Sequence, residues 1–216
     1  AAAIGPNNTF NVTETTGDLQ VSGINGIRTT GGAVNVTVQG AGKSLTLNSG
    51  SGIDTTFGGA TTGASVTLTA DDMAIGAAVN AGSGANTVVL KPYATNRTIN
   101  ITNGGTGQLD LSPTEIQFVS VAGGTLQLGS TGATGDINLN ATLNSTDVNA
   151  GTLKLLSGHD VNITGGNDIG VIGAEFNHHL NLTAAGNVNI TNGNVYLADN
   201  NNLTVVATGS VNIGGD

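Results

Sequence analysis

Short triplets of an apolar, a polar and an apolar residue recur along this chain at a nearly constant interval. In one family they begin at residues 99, 126, 153 and 180, so each step is 27 residues, and a fifth begins at 203. Because residues i and i+2 of a strand share one face, each triplet predicts a short, half-buried β-strand. Such a strand is too small to be stable alone, and a fixed period of this length is typical of stacked repeats.

Two further families lie between the first triplets. A second family begins at residues 109, 137, 161, 188 and 211. A third is rougher and comprises Ile116 and Phe118, then Leu143, then 169–172, then Val195 and Leu197. Each repeat therefore carries about three triplets, separated by Gly, Asn, Ser and Thr, which favour turns. The first half is less regular, with triplets at 45, 66 and 88 assigned to one family and earlier members at 10, 19 and 34.

The stretch NVNITNGNVYL at 187–197 distinguishes two all-β folds. Asn192-Gly193 resembles the loop of a two-residue hairpin, which would indicate an antiparallel sandwich or barrel. Like triplets, however, recur at 21 to 27 residues and always in the same order, which suits parallel stacking with a long return path. We therefore predict a right-handed parallel β-helix of about three short strands per coil, with Asn192-Gly193 at a corner.

The charge of the chain excludes several classes of function. The 216 residues carry a formal net charge of −9 with five Lys and Arg, so no basic patch for nucleic acid can form. No apolar run approaches the roughly 18 residues that a membrane span needs. Hydrophobic residues make up 38% and supply a core, which argues against disorder despite 35 glycines. There is no cysteine, so disulfides are excluded.

The middle residue of each triplet is expected to face solvent and to bond to its neighbours above and below. The alternative is a glycan-binding stripe, which lacks an aromatic platform here. The first family presents Asn100, Gln127, Lys154, Asn181 and Thr204, and the second presents Asp110, Asn138, Asn162, Asn189 and Asn212. The same alternation creates Asn-x-Thr sequences that match the N-glycosylation pattern, which we attribute to the repeat itself. They begin at Asn35, Asn96, Asn100, Asn162, Asn181, Asn189 and Asn202.

No motif predicts catalysis or a cofactor. Glu175, His178 and His179 lie close in sequence but match no zinc-protease spacing, and with His159 they are expected to be structural or solvated. The segment 165–169, GGNDI, resembles a calcium nonapeptide with its Asp at the wrong offset, and Asp71-Asp72 fits a turn. We therefore predict no catalytic, cofactor or metal residues. A polysaccharide lyase would need basic residues aligned with acids, whereas the bases are scattered. They are Arg28, Lys43, Lys91, Arg97 and Lys154.

A family likeness rests on longer phrases. The stretches SVTLTADDMAIGAAVNAGSGANTVVLKP, GQLDLSPTEIQFVSVAGGTLQLGS and AGTLKLLSGHDVNITGG resemble the repeat region of filamentous-haemagglutinin-type exoproteins, over roughly residues 65 to 190. The resemblance implies a secreted or cell-surface bacterial adhesin, exported by two-partner secretion through an outer-membrane transporter and active in attachment or biofilm. It also implies a shaft without catalytic residues, which could contact surface glycans or proteins.

The domain organisation follows from the same period. We predict one solenoid segment over 1–216, with less regular coils at 1–97 and regular coils at 98–216, as part of a longer chain. The C-terminal SVNIGGD stops after a triplet without a polar cap, so more protein or another copy is expected to stack there. The rival interpretations are a filament subunit that stacks end to end and a polysaccharide-binding or lyase-like module.

Overall fold

A computed structural model describes residues 2–4, 7–104 and 108–214, and nearly all of its regular structure is β-strand. The helices are short: α1 spans Pro113–Gln117, and 3-10 turns span Phe57–Gly59 and Ser145–Asp147. No helix in these ranges is long and apolar enough to cross a membrane. The strands are β1 Ala2–Ile4, β2 Phe10–Glu14, β3 Leu19–Val21, β4 Ile27–Thr29, β5 Val34–Val38, β6 Ser44–Leu47, β7 Ile53–Asp54, β8 Val66–Thr69, β9 Asp72–Ile75, β10 Val79–Ser83, β11 Thr87–Lys91, β12 Ile99–Ile101, β13 Leu109–Leu111, β14 Val119–Ser130, β15 Ile137–Leu139, β16 Asn149–Ser157, β17 Val161–Thr164, β18 His179–Ala184, β19 Val188–Thr191, β20 Leu203–Ala207 and β21 Val211–Gly214.

The strands stack in three ladders, and every pairing between named strands is parallel. Ladder A runs β1-β4-β7-β10 and reaches the first half of β14. Ladder B runs β2-β5-β8-β11, continues through the second half of β14, and ends β16-β18-β20. Ladder C comprises β3-β6-β9 and the six-stranded sheet β13-β12-β15-β17-β19-β21. Since β14 belongs to both A and B, these two ladders form one twelve-stranded sheet.

The corner predicted at Asn192-Gly193 is confirmed. The strand before it, β19, pairs in parallel with β17 and β21, and Val195 beyond it bridges Ile169 in parallel. Asn192 takes a positive φ of 54°, and a Cβ on Gly193 would lie 2.5 Å from the carbonyl oxygen of Asn167. The chain therefore turns away at this point and does not fold back on itself.

Two of the predicted stacks were wrong. Ile99 does not lie below Leu126 but pairs with Leu109 and Ile137 in ladder C. Its predicted place in ladder B is taken by Val88, which pairs with Leu126. In the first half Leu45 pairs with Leu19 and Met73 in ladder C, whereas Val66 pairs with Val34 and Val88. Triplets of the two ladders look alike, so spacing alone misassigned them.

An inserted strand explains the first error. After β12 the chain forms β13 only ten residues later, parallel to β12 and beside it, so this repeat contributes two strands to ladder C. The helix α1 follows, and a capping box between Ser112 and Glu115 caps its N-terminus. Consequently Val88 and Leu126, partners in ladder B, are 38 residues apart. In an earlier repeat, which does not contain this insertion, Val34 and Val66 are 32 apart. Both separations exceed the predicted range of 21 to 27.

The third family was predicted correctly in part. Leu143, Ile169 and Val195 form isolated parallel bridges, so this side of the later repeats lacks full strands. Ile116 is buried, but it and Phe118 lie in and next to α1 rather than in a strand. Ile172 is 81% exposed and does not belong to the core.

The core is a continuous column of aliphatic side chains that follows the ladders. Triplet residues at the two outer positions are buried in β12, β13 and β15, while the middle residue is half-buried. The buried cluster extends from Ile27 to Ile190. Because each aliphatic lies on one of the same kind, the apolar surface removed from water accumulates along a single direction.

Candidate functional site

The outer face of ladder C carries an unbroken chain of side-chain hydrogen bonds, which we call the Asn ladder. Each Asn amide nitrogen donates to the oxygen of the residue on the strand before it in the sheet, with N–O distances from 2.6 to 3.2 Å. The chain starts at Asn212 and ends on the carboxylate of Asp110. Its six members are Asn212, Asn189, Asn162, Asn138, Asn100 and Asp110.

This geometry confirms the predicted bonding between outward residues for the second family, to which Asn100 also belongs. In the first family Gln127 donates to the carbonyl of Gly129 and Asn181 accepts from Thr183, each within its own strand, so the prediction was wrong for these two residues. Directional chains of amides polarise one another, and the final bond to Asp110 is charge-assisted. A slip of one residue would turn Asn inward and aliphatics outward, so the ladder also fixes strand register. The Asn ladder therefore contributes to stacking and leaves a nearly uncharged outer surface.

A second ladder lies at the corner that precedes ladder C, where a side-chain oxygen accepts the backbone N–H of the equivalent residue one repeat later. Asp136 accepts from Asp160, Asp160 from Asn187, and Asn187 from Ser210, at 3.2, 2.6 and 2.9 Å. Sequence reasoning did not identify this feature. The signal was available: the residue directly before the second-family triplets at 137, 161, 188 and 211 is short and polar.

His159 joins this corner and gives it the densest group of ionisable atoms among the described residues. Its Nδ1 lies 2.5 Å from Asp136 Oδ1 and 4.0 Å from Asp160 Oδ2. The hydrogen bond to Asp136 raises the pKa of His159, and the charges of Asp136 and Asp160 raise it further. The imidazole side chain is 58% exposed. Sequence reasoning treated His159 as structural or solvated and did not group it with these carboxylates.

The other two histidines make structural contacts. His178 Nε2 lies 2.9 Å from the carbonyl oxygen of Ser145 and 3.2 Å from its hydroxyl. A nitrogen that donates to a backbone carbonyl cannot act as a base toward the Ser145 hydroxyl, so the pair does not form a nucleophile and base. His179 Nδ1 accepts the backbone N–H of Asn202 in the next repeat. The carboxylate of Glu175 accepts the N–H of Gly173, and among the described residues it does not form a ligand group with these two histidines.

Asp71 and Arg97 connect three segments of the first half. The Asp71 side chain is fully buried, and its oxygens accept the N–H groups of Gly42 and Ala94 at 2.8 and 2.7 Å. Arg97 Nε donates to the carbonyl oxygen of Asp71, and its Nη1 lies 3.9 Å from the carboxylate. Asp71 is thus a buried clamp, while Asp72 begins β9 and is exposed. The predicted turn at Asp71-Asp72 is correct only for Asp71, which lies at a bend, because Asp72 already belongs to a strand.

The segment at 165–169 does not present a calcium cradle. Asp168 Oδ1 accepts the backbone and side-chain N–H groups of Asn194 in the next repeat. Asn167 donates to the carbonyl of Thr164 within its own turn. The side chain of Asp168 therefore links repeats.

The last repeat exposes aliphatic side chains that are buried one repeat earlier. Leu203, Val211 and Ile213 are 41%, 47% and 71% exposed. Their partners in register, Leu180, Val188 and Ile190, are at most 6% exposed. The outer backbone edges of β20 and β21 carry no further strand among the described residues. We call this surface the terminal face.

Fold and surface define an all-β protein built from stacked parallel strands. The outer face of ladder C is polar and nearly uncharged. Among the described residues, Asp136, His159 and Asp160 form the one cluster of three His or acidic side chains, at the corner before ladder C. No protein-family model matches the chain, and no curated protein or solved structure matches it significantly.

Proposed function

We propose that this chain is a structural shaft segment of a secreted or cell-surface bacterial adhesin, wound as a right-handed parallel β-helix, without catalysis. The observation that carries the proposal is the pairing: parallel strands of successive repeats stack in three ladders, with one added strand, β13, in ladder C. The Asn ladder and the corner ladder both bond one repeat to the next. Such contacts hold a rod together.

The resemblance to filamentous-haemagglutinin-type repeats supplies the biological setting of the proposal. In that setting the full-length protein is exported through an outer-membrane transporter and functions in attachment or biofilm. Eight strands in ladder B are separated by seven spacings of about 4.8 Å, so the first and last strands lie about 34 Å apart. The role of this segment would be to set the distance between the cell and a binding tip.

The test is a swap that separates length from binding. In the cells that produce the protein, residues 7–214 are replaced by an unrelated β-helix of equal length, or deleted. We expect the replacement to preserve attachment and the deletion to reduce it, with surface display checked by labelling an epitope outside the segment. Loss of attachment in the replaced strain at normal display would show that the segment itself binds, and would contradict a shaft role.

A second candidate is a filament subunit that stacks end to end, in which the terminal face of one copy would meet the first rungs of another. Phe10 and Val12 of β2 are the first rungs of ladder B and are only partly buried. Stacking a second copy in register would place them over Leu203 and Val205, aliphatic on aliphatic. Sedimentation of the isolated chain over a range of concentrations tests this candidate. Leu203→Lys should abolish any fibres, whereas Ile24→Lys, at an 89% exposed site elsewhere, should not.

A glycan-binding module remains the third alternative. The Asn ladder would be its binding stripe. A glycan array with the isolated chain, repeated with Asn162→Ala, would detect it. Binding that depends on Asn162 would replace the shaft interpretation.

A further inference from the structure

Three metal-binding side chains from two adjacent repeats meet at the corner before ladder C. Asp136 comes from one repeat, and His159 with Asp160 from the next. One ligand atom from each, namely an imidazole nitrogen and two carboxylate oxygens, lies within 4.8 Å of the others. The group is separate from the Asn ladder, and the proposed shaft function does not require it.

We propose that Asp136, His159 and Asp160 form a binding site for a divalent transition-metal ion of the zinc class. The ion would bond to His159 Nδ1, Asp136 Oδ1 and Asp160 Oδ2. It would connect two consecutive repeats, with its remaining coordination positions open to water or to a group from another molecule.

The distances suit an ion of this size. Zinc binds imidazole nitrogen and carboxylate oxygen at about 2.0 to 2.2 Å, so tetrahedral ligand atoms stand about 3.3 Å apart. The Nδ1 of His159 lies 2.5 Å from Asp136 Oδ1 and 4.0 Å from Asp160 Oδ2, on either side of that value. Rotation of the exposed imidazole alone can adjust both separations, because His159 is the most exposed of the three side chains.

Most of the backbone hydrogen bonds around the site do not use the three ligand atoms; the exception is the N–H of Asp160, which donates to Asp136 Oδ1 at 3.2 Å. The carbonyl oxygen of His159 accepts the N–H of Gly186 at 2.7 Å, and its own N–H donates to the hydroxyl of Ser157 at 2.9 Å. That hydroxyl is buried and donates to the carbonyl of Gly135, directly before Asp136. The other carboxylate oxygen of Asp160 is bound to the N–H of Asn187, which leaves Oδ2 directed toward the cluster.

The donor set selects the class of ion. A neutral imidazole with two carboxylates suits zinc, manganese, nickel or cobalt. Calcium and magnesium prefer all-oxygen sets, and calcium takes six to eight of them, so they fit poorly here. With three protein ligands the site resembles an open coordination shell more than a closed structural one.

The experiment measures zinc binding to the tag-free, chelator-treated chain by isothermal titration calorimetry, with calcium as the contrasting ion. We expect one saturable zinc site per chain and no comparable calcium site. His159→Gln, Asp136→Asn and Asp160→Asn should each weaken zinc binding by about ten-fold or more. The matched control is His178→Gln, which removes a histidine outside the cluster and should leave zinc affinity unchanged. Circular dichroism checks that each variant folds.

A cobalt titration gives an independent readout. Cobalt(II) bound to mixed nitrogen and oxygen ligands should give a visible absorption spectrum in the unsubstituted chain and in His178→Gln, but not in His159→Gln. Absence of saturable zinc binding would overturn the proposal, as would binding that survives His159→Gln or disappears with His178→Gln. If zinc binds at two chains per ion with loss in His159→Gln, the open coordination positions are filled by a second copy and the site stands.

Discussion

The less regular region at 7–97 and the regular region at 98–214, of which 98–104 and 108–214 are described, stack their strands in the same way but secure the repeats differently. Both bury a column of aliphatic residues, and both pair strands in parallel. In the regular region the contacts between repeats recur, as in the Asn ladder. In the less regular region they are individual, as at the buried Asp71 clamp. Stacking therefore depends on the inward residues, while the outward and corner residues can differ.

The largest expected effect on stability comes from removing the buried Asp71 carboxylate. Asp71→Ala would leave the N–H groups of Gly42 and Ala94 and the guanidinium of Arg97 without their buried acceptor. We expect the free energy of unfolding to fall by about 3 to 5 kcal/mol, because breaking a buried ion pair leaves uncompensated polar groups. Urea denaturation followed by circular dichroism measures this. The control is Asp72→Ala at the exposed neighbouring carboxylate, for which a loss within about 0.5 kcal/mol is expected.

Equal losses for both Asp variants would show that the first region does not depend on the clamp. Amide hydrogen exchange can locate where the Asp71→Ala variant loses stability. In Asp71→Ala, protection should fall first around Gly42 and Ala94, since these amides lose their acceptor, and should persist in ladder C of the regular region.

We expect the core of the less regular region to be packed as tightly as the core of the regular region. Leu68 in β8 and Leu155 in β16 are both fully buried in ladder B. Leu68→Ala and Leu155→Ala should each reduce the free energy of unfolding by about 2 to 5 kcal/mol through lost burial and an added cavity. Urea unfolding of both variants, measured in parallel, gives the comparison. A much smaller loss for Leu68→Ala would mean that the less regular region packs loosely and that its stacking is not equivalent.

Hydrogen bonds on the outer face provide a smaller contrast. Asn162 both donates to Asn138 and accepts from Asn189, whereas Asn35 in the less regular region makes one such bond, to Asn11. At about 0.5 to 1.5 kcal/mol per net bond, Asn162→Ala should cost about 1 to 2 kcal/mol and Asn35→Ala about half as much. Thermal unfolding measures the ranking. Lys154→Ala, on the outer face of ladder B, is the control. A loss of stability in Lys154→Ala equal to that in Asn162→Ala would show that the Asn ladder contributes no more than any other outward side chain.

The same contrast explains how far sequence reasoning reached. Parallel stacking and the corner at Asn192 were predicted correctly because the aliphatic alternation is local and the period is long. The assignments of Ile99 and Leu45 were wrong because insertions such as β13 change the interval without changing the triplets. The group of Asp136, His159 and Asp160 was missed because it depends on which corners lie one above the other, and that follows from the ladder assignment rather than from adjacency in sequence.

The smallest expected effect on stability concerns the Glu14 carboxylate, which accepts hydrogen bonds only within its own turn. Glu14, at the end of β2, accepts the N–H of Thr16, the hydroxyl of Thr16 and the N–H of Gly17 at 2.9, 3.0 and 3.1 Å. These bonds, led by the Thr16 backbone N–H, hold the pKa of Glu14 below its ordinary value. The corner residues of the regular region instead accept amides a full repeat away and so join two repeats, as Asp18 and Asp71 also do in the less regular region.

This difference predicts how Glu14 responds to pH. Because its pKa is lower in the folded chain, the stabilisation from Glu14 is present above the unfolded-state pKa and is lost as pH falls through the folded-state pKa. Carboxyl chemical shifts followed by NMR give that pKa directly. Thr16→Val removes the hydroxyl bond but keeps both backbone bonds, so we expect the pKa to move only part of the way back. A complete return in Thr16→Val would show that the hydroxyl, rather than the turn backbone, holds the carboxylate, and a Glu14 pKa at its ordinary value would show that the local turn does not form in solution.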